Sequence, residues 1–330
     1  MSGRRPLVIG HRGAPGYRPE HTRSSYLQAL AAGVDAVEPD VVFTRDRVAV
    51  VRHENEIGGT TDIADHPEFA DRRRTASIDG HEVAGWFTED FTWEELATLR
   101  CRERLPRLRP GSATADGTEP ILRLRDLLDL LGGTETGVVL EIKHATYFAG
   151  LGVDVAALLA SELRRAGWGD GQRSLVVESF EQSALADLRA HGIRASYVYL
   201  LEAGGTAADL AAALGDDAPT YASQLTGDGL DRLAAEVDGI SLDKAIVLAS
   251  EADPAEPSVV AEAHRRGLRV FVWTCRPENA FLAPEFRRGP DDTAFGDWEA
   301  EWKMLADAGV DGVFVDHPDL GVEYFRRVDR

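Results

Sequence analysis

The sequence predicts an α/β fold: a closed TIM-type (β/α)8 barrel with an irregular insertion after its second strand. Three observations carry that expectation. Short apolar, β-branched runs alternate with Ala- and Leu-rich stretches of helical periodicity, the pattern of parallel strands joined by helices. Eight such strand–helix units fit within 330 residues, which favours a closed barrel over a doubly wound sheet. The rhythm then fails over one long stretch, 57–117, too long for a plain loop inside a barrel.

The strands are expected at 7–10, 36–43, 137–143, 174–180, 195–201, 239–243, 269–274 and 312–316. The helices between them are expected at 22–32, 124–131, 153–166, 182–191, 230–236, 257–266, 298–308 and 318–326. Glycines 33, 167, 192, 267 and 309 follow helical runs where a C-cap is needed. The run 48–52 reads as a short strand turning back on the second strand near 45–47. Pro39 sits inside that second strand, where it cannot donate to the ladder. The stretch 57–117 is rich in Gly, Thr, Asp and Arg and carries Trp86, Phe87, Phe91 and Trp93. It is expected to have its own structure and to shape access to the site, with Trp86 and Trp93 packing rather than selecting substrate. A smaller loop is expected at 276–297, and 207–214 reads as a helical surface stretch. The expectation is one domain over 1–330.

Composition narrows the function. With 44% hydrophobic and 28% charged residues, the chain fits a soluble globular protein with a sizeable core. The net charge of −20, from 36 basic and 56 acidic residues, disfavours nucleic acid or an anionic membrane surface as partner. An anionic substrate would then need positive charge supplied locally. The two cysteines, Cys101 and Cys275, are far apart in sequence and read as free thiols of a reducing compartment. No apolar run approaches the roughly 18 residues of a membrane span. The N-terminal Met1-Ser2-Gly3-Arg4-Arg5-Pro6 leads into four apolar positions and then His11, without a signal-peptide core. A cytoplasmic protein is expected.

The chemistry gathers at strand ends. Glu38 and Asp40 are two apart on one strand, so they share a face, and at the C-terminal end of a barrel strand that face is the mouth. Carboxylates so close repel unless a cation lies between them, and hard oxygen ligands suit Mg²⁺ or Ca²⁺. An isolated pair of this kind is more often a solvated strand end or a pair answered by Arg. Glu141 and Lys143 repeat the geometry within an apolar run, Glu141 as a further ligand and Lys143 as a phosphate partner, or the two as a structural pair. His11 and His53 end strands on either side of the acidic pair, where imidazoles can serve as general base and general acid. Arg12 offers a bidentate donor to phosphate, and Gly13 and Gly16 allow close backbone approach. Glu178 and Trp273 end the fourth and seventh strands, as packing or, for Trp273, as pocket lining. Structural pairing is the expected role of Asp243, Lys244, Asp316 and His317. His21 is expected to help start the first helix, with Glu20 able to reach the site.

His11-Arg12-Gly13, Pro19-Glu20-His21-Thr22, Glu38-x-Asp40, His53 and Glu141-Ile142-Lys143, with Val272-Trp273-Thr274 and the closing run from Asp311 to Pro318, resemble the glycerophosphodiester phosphodiesterase family over essentially the whole chain. Many members place Asp directly after the second histidine. Here the run is Arg52-His53-Glu54-Asn55, as in a recognisable subgroup. The resemblance implies a metal-dependent hydrolase that cleaves glycerophosphodiesters such as glycerophosphocholine to sn-glycerol 3-phosphate and an alcohol. It implies one divalent cation, Ca²⁺ or Mg²⁺, on Glu38, Asp40 and Glu141. His11 and His53 become the acid–base pair, and Arg12 and Lys143, with Trp273 beside them, contact substrate. A route through a cyclic phosphate is expected, with His11 as base and His53 as acid in its first step. The alternatives are a lysophospholipase D-type phosphodiesterase on the same barrel and a non-catalytic phosphodiester-binding barrel.

Overall fold

A computed structural model describes residues 5–252 and 257–328, so Met1–Arg4 of the N-terminal run lie outside the described residues. The main sheet contains β1 (Leu7–His11), β2 (Ala36–Glu38), β3 (Asp40–Phe43) and β4 (Ala49–Val51). After a separate hairpin, β5 (Arg74–Ile78) and β6 (His81–Gly85), come β7 (Gly137–Ile142), β8 (Leu175–Ser179), β9 (Ser196–Leu201), β10 (Gly239–Asp243), β11 (Arg269–Cys275) and β12 (Gly312–Val315).

The parallel pairing runs from β1 through β12, β11, β10, β9 and β8 to β7, and β7 returns through β2 to β1. The cylinder is closed, with eight staves as expected. Its second stave is in two pieces. Pro39 breaks the ladder between β2 and β3, yet both pieces pair with β7, because the Pro39 carbonyl still accepts from Glu141 N at 2.9 Å. Beyond it, β3 pairs antiparallel with β4, the expected turn-back.

Side-chain alternation sorts each strand into two faces. Val8, Val37, Leu140, Val177 and Val313 point outward into the large core between sheet and helices. Ile9, Ala36, Val139, Val176, Val198, Phe271 and Phe314 fill the lumen as an apolar plug. The next inward residue along many of these strands is polar or aromatic: His11, Glu38, Glu141, Glu178 and Trp273. The plug is therefore the floor on which the site stands.

Helices fill the expected gaps. The first, Arg23–Ala32, is capped by Thr22, whose hydroxyl accepts from Ser25 N, and ends at Gly33 in the left-handed region (φ 81°). The Leu124–Leu131 and Trp298–Ala308 helices fall where expected, and two more appear at Ala145–Gly150 and Lys244–Ala252. The insertion carries the β5–β6 hairpin and short helical turns. Phe87 and Phe91 are fully buried. Trp86 donates to the Phe69 carbonyl at 2.8 Å, and Trp93 lies under the Arg123 guanidinium, so these aromatics pack, as expected.

Candidate active site

A cavity of about 840 Å³ opens at the C-terminal mouth of the barrel. Its walls include His11, Arg12, Glu38, His53, Glu141 and Lys143, all singled out in the sequence, and Trp273. The insertion bears on the mouth from one side only: no described residue of 57–117 lines this cavity, while Asp79 and His81 line an adjoining pocket with Glu141, Lys143 and Phe180. The cavity's outer wall comes from the Lys244–Ala252 helix and from the 276–297 loop, through Phe281, Leu282 and Pro284.

The acidic side chains divide into two groups. Glu38, Glu141 and Glu178 are buried, and each offers a carboxylate oxygen within 4.8 Å of the others'. Burial raises all three pKa values. Asp40 adds its repulsion to that of the neighbours for Glu38, and Glu141 leads the repulsion on Glu178. Glu141 reaches about 8 from the same burial, partly offset by Lys143. Glu38 Oε1 and Glu178 Oε2 have no hydrogen-bond partner among the described residues. Three buried carboxylates together, two of them with an orphaned oxygen, fit a hard divalent cation.

Asp40 differs from that trio. Burial opposes its charge, but His53, Lys143, His21 and Arg12 are turned toward it and hold it well below the usual carboxylate range. Its Oδ2 is bound by His21 Nε2 at 2.8 Å, whereas Oδ1 is buried without a hydrogen bond. His21 therefore does not start the helix, which Thr22 caps. Fully buried and held by Tyr26 Oη at 2.8 Å, it orients Asp40. Glu178 is the ligand-type residue that sequence reasoning undervalued. Its signal was present, a lone acid in the apolar run Leu175-Val176-Val177, and the β7–β8 register sets it directly across from Glu141.

Each histidine is oriented through Nδ1 by a carboxylate. His11 Nδ1 donates to Asp316 Oδ1 at 2.6 Å and His53 Nδ1 to Glu54 Oε1 at 2.5 Å. Carboxylates only accept, so both rings carry hydrogen on Nδ1, with the lone pair on Nε2. The His53 Nε2 lone pair accepts from Lys143 Nζ at 3.3 Å. Burial lowers the His11 pKa to about 4, helped by Arg12 and opposed by Asp316. Burial, Arg12 and Lys143 lower His53 to about 3. Asp316 is thus more than a structural pairing.

The cations line the same floor. Arg12 donates from its backbone N to Glu38 Oε2 at 2.8 Å, and its guanidinium reaches Glu20 at 3.1 Å and Asp40 at 3.4 Å. Lys143 Nζ bonds Glu141 at 2.7 Å. Trp273 stands edge-on to Phe180 at 6.0 Å, forming an aromatic side of the cavity.

The chain matches the model of the glycerophosphoryl diester phosphodiesterase family over residues 11–320. It is 29% identical to a glycerophosphodiester phosphodiesterase of Arabidopsis thaliana, with 94% of this chain and 84% of that one covered. It is 26% identical to the glycerophosphodiester phosphodiesterase of Treponema pallidum, covering 98% and 93%. Among solved structures, a putative glycerophosphoryl diester phosphodiesterase from Silicibacter pomeroyi superposes with a TM-score of 0.68 at 24% identity, covering 98% and 94%. A phosphodiesterase of Oleispira antarctica, solved with the product sn-glycerol-3-phosphate, superposes with a TM-score of 0.63 at 19% identity, covering 99% and 98%. The structural likenesses show the barrel.

Proposed function

The chain belongs to the glycerophosphoryl diester phosphodiesterase family, and from that premise we propose that it hydrolyses glycerophosphodiesters such as glycerophosphocholine to sn-glycerol 3-phosphate and an alcohol. It is a phosphoric diester hydrolase, as its relatives are named. The observation that supports this reading best is the convergence of three buried carboxylates and two carboxylate-oriented imidazoles on one cavity. Glu38, Asp40 and Glu141, joined by Glu178, would hold one Ca²⁺ or Mg²⁺. When bound, that cation supplies Lewis-acid stabilisation to a phosphoryl oxygen.

The chain's own groups supply the rest. Arg12 and Lys143 neutralise the phosphodiester, which answers the need for local positive charge in a protein of net charge −20. His11 Nε2 removes the proton of the glycerol hydroxyl next to the phosphate. That oxygen bonds to phosphorus as the bond to the alcohol breaks, and His53 delivers a proton to the departing oxygen. His53 is low because it is buried and faces Arg12 and Lys143. An anion bound between those cations raises it, so the protonated fraction grows when substrate is present. Water then opens the cyclic phosphate: His53 takes its proton and His11 returns one to the glycerol oxygen. Trp273 flanks the substrate. Cytoplasmic placement fits two buried free thiols, Cys101 and Cys275.

The test is direct. Chelated enzyme should release no sn-glycerol 3-phosphate from glycerophosphocholine, and added Ca²⁺ or Mg²⁺ should restore it. His11→Ala and His53→Ala should each lower kcat by roughly 10²–10⁴-fold. Normal turnover in either folded variant removes the acid–base assignment. The apolar flank of the cavity, with Leu248, Phe281 and Leu282, favours a second reading, a lysophospholipase D-type enzyme. Faster choline release from lysophosphatidylcholine than from glycerophosphocholine would select it.

A further inference from the structure

The insertion leaves the cavity walls untouched but reaches the site from behind. Two of its arginines, five positions apart, end on the two carboxylates that hold the histidines. Arg104 forks onto Glu54, with Nη1 to Oε1 at 2.9 Å and Nη2 to Oε2 at 2.6 Å. The same guanidinium binds Glu20 through Nε at 2.8 Å and Nη2 at 2.6 Å, and Glu20 accepts from Arg12 at 3.1 Å. Arg109 donates through Nη2 to Asp316 Oδ2 at 2.6 Å, and through Nε to Glu278 at 2.8 Å. Arg276 Nε also reaches Asp316 Oδ2, at 2.7 Å.

We propose that the insertion is the positioning element of the acid–base pair, with Arg104 clamping the Glu54 that orients His53 and Arg109 clamping the Asp316 that orients His11. The inference rests on the reading of His11 and His53 as acid and base, and adds to it the residues that set their ring orientation and tautomer.

The physical argument is one of degrees of freedom. Glu54 is a long, half-exposed side chain. On its own it would sample rotamers that leave His53 Nδ1 unpaired, and ordering it costs entropy. A guanidinium presents a rigid fork that matches both carboxylate oxygens, so Arg104 selects one rotamer. Asp316 is shorter and buried, and its Oδ2 is held by two arginines while Oδ1 faces His11. In both relays the arginine keeps the carboxylate ionised, and an ionised carboxylate holds the hydrogen on Nδ1. Arg104 also couples the His53 relay to Arg12 through Glu20, so one insertion residue supports both an acid–base group and a phosphate contact.

The experiment uses the full-length, cation-loaded enzyme. The variants are Arg104→Ala, Arg104→Lys and Arg109→Lys, with Arg107→Ala, an exposed neighbour, as control. Arg104→Ala should lower kcat on glycerophosphocholine by roughly 10- to 100-fold with a smaller change in KM. Added guanidinium ion should return part of the loss, and Arg104→Lys should recover less than half of it, lacking the fork. Arg109→Lys should show a smaller kcat-weighted loss, because Arg276 still holds Asp316 Oδ2. Imidazole ¹⁵N spectra should show Nδ1–H for both rings in the wild type and a tautomer mixture for His53 in Arg104→Ala. Arg107→Ala should match the wild type. Folded Arg104→Ala with wild-type kcat and an unchanged His53 tautomer overturns the proposal, even where Arg109→Lys fails to fold. Loss of activity in His11→Ala and His53→Ala alongside normal Arg104→Ala would sink this inference alone. Normal activity in the two histidine variants would instead sink the reading beneath it.

Discussion

Glu178 shows how much one inward side chain can carry. It lies across the β7–β8 register from Glu141, buried, with Oε2 unpartnered. Near-isosteric Glu178→Gln removes its charge while keeping its volume. If Glu178 completes a cation site, divalent affinity should fall by roughly 10- to 100-fold, read by isothermal titration of the chelated protein. An unchanged affinity would return Glu178 to a packing role. Asp40 supplies the contrast. The pattern Glu38-x-Asp40 suggested equivalent ligands, yet one Asp40 oxygen is committed to His21 and the side chain is surrounded by cations. Spacing put both carboxylates on one face, but it carried no information about which partners the rest of the chain would bring.

At the scale of elements, the turn from β1 into the first helix is tightly constrained. Gly13 has φ 91°, and a Cβ there would sit 2.5 Å from Ser25 Oγ and 2.7 Å from the Ser25 carbonyl carbon. The same Ser25 hydroxyl accepts from Ala14 N and donates to the Arg12 carbonyl, so it locks the turn that aims Arg12 and the adjacent His11. Gly13→Ala should therefore destabilise by more than about 1 kcal/mol, seen as a lower denaturation midpoint, and should depress kcat as well. A variant with unchanged stability would mean that this turn has slack. The second stave was legible as a strand, and its Pro39 as an anomaly. The outcome, two pieces that both keep their pairing with β7, depended on the neighbouring strand accepting the break.

For the whole molecule, the consequence of so many buried acids is a pH dependence that a bound cation should remove. His11 and His53 are depressed to about 4 and about 3. The folded state therefore binds fewer protons there than the unfolded chain, and stability from these rings rises with pH and is complete only about one unit above the unfolded value of 6.5. Glu141 runs the other way. With a folded value of about 8 against an ordinary 4.5, the folded state holds a proton that the unfolded chain has released, and stability falls as pH climbs toward 8. Between about pH 7.5 and 8.5 only the second trend remains of these. The Tm of chelated protein should fall across that window, and saturating Ca²⁺ or Mg²⁺ should abolish the fall. Glu141→Gln should reduce it without cation, leaving the part that Glu38 and Glu178 contribute. A chelated wild-type protein with constant Tm across that window would contradict the buried carboxylate cluster.

By itself the chain's sequence determined the barrel and the placement of most of its strands and helices. Those follow from local periodicity, where alternation of two separates lumen from core and glycines mark helix ends. It also carried His11, Glu38, Glu141 and Lys143 to one mouth, because residues at the C-terminal ends of parallel strands must meet once the sheet closes, and His53 joins them because β4 runs back antiparallel beside β3 to Asp40. Only the tertiary structure decided what stands behind them. That His21 serves Asp40, that Glu178 joins Glu38 and Glu141, and that Arg104 and Arg109 leave an irregular insertion to hold Glu54 and Asp316 are contacts between segments 19 to 207 positions apart. No periodic signal spans such separations. They are set by how the closed cylinder brings loop, strand end and insertion into reach of one another.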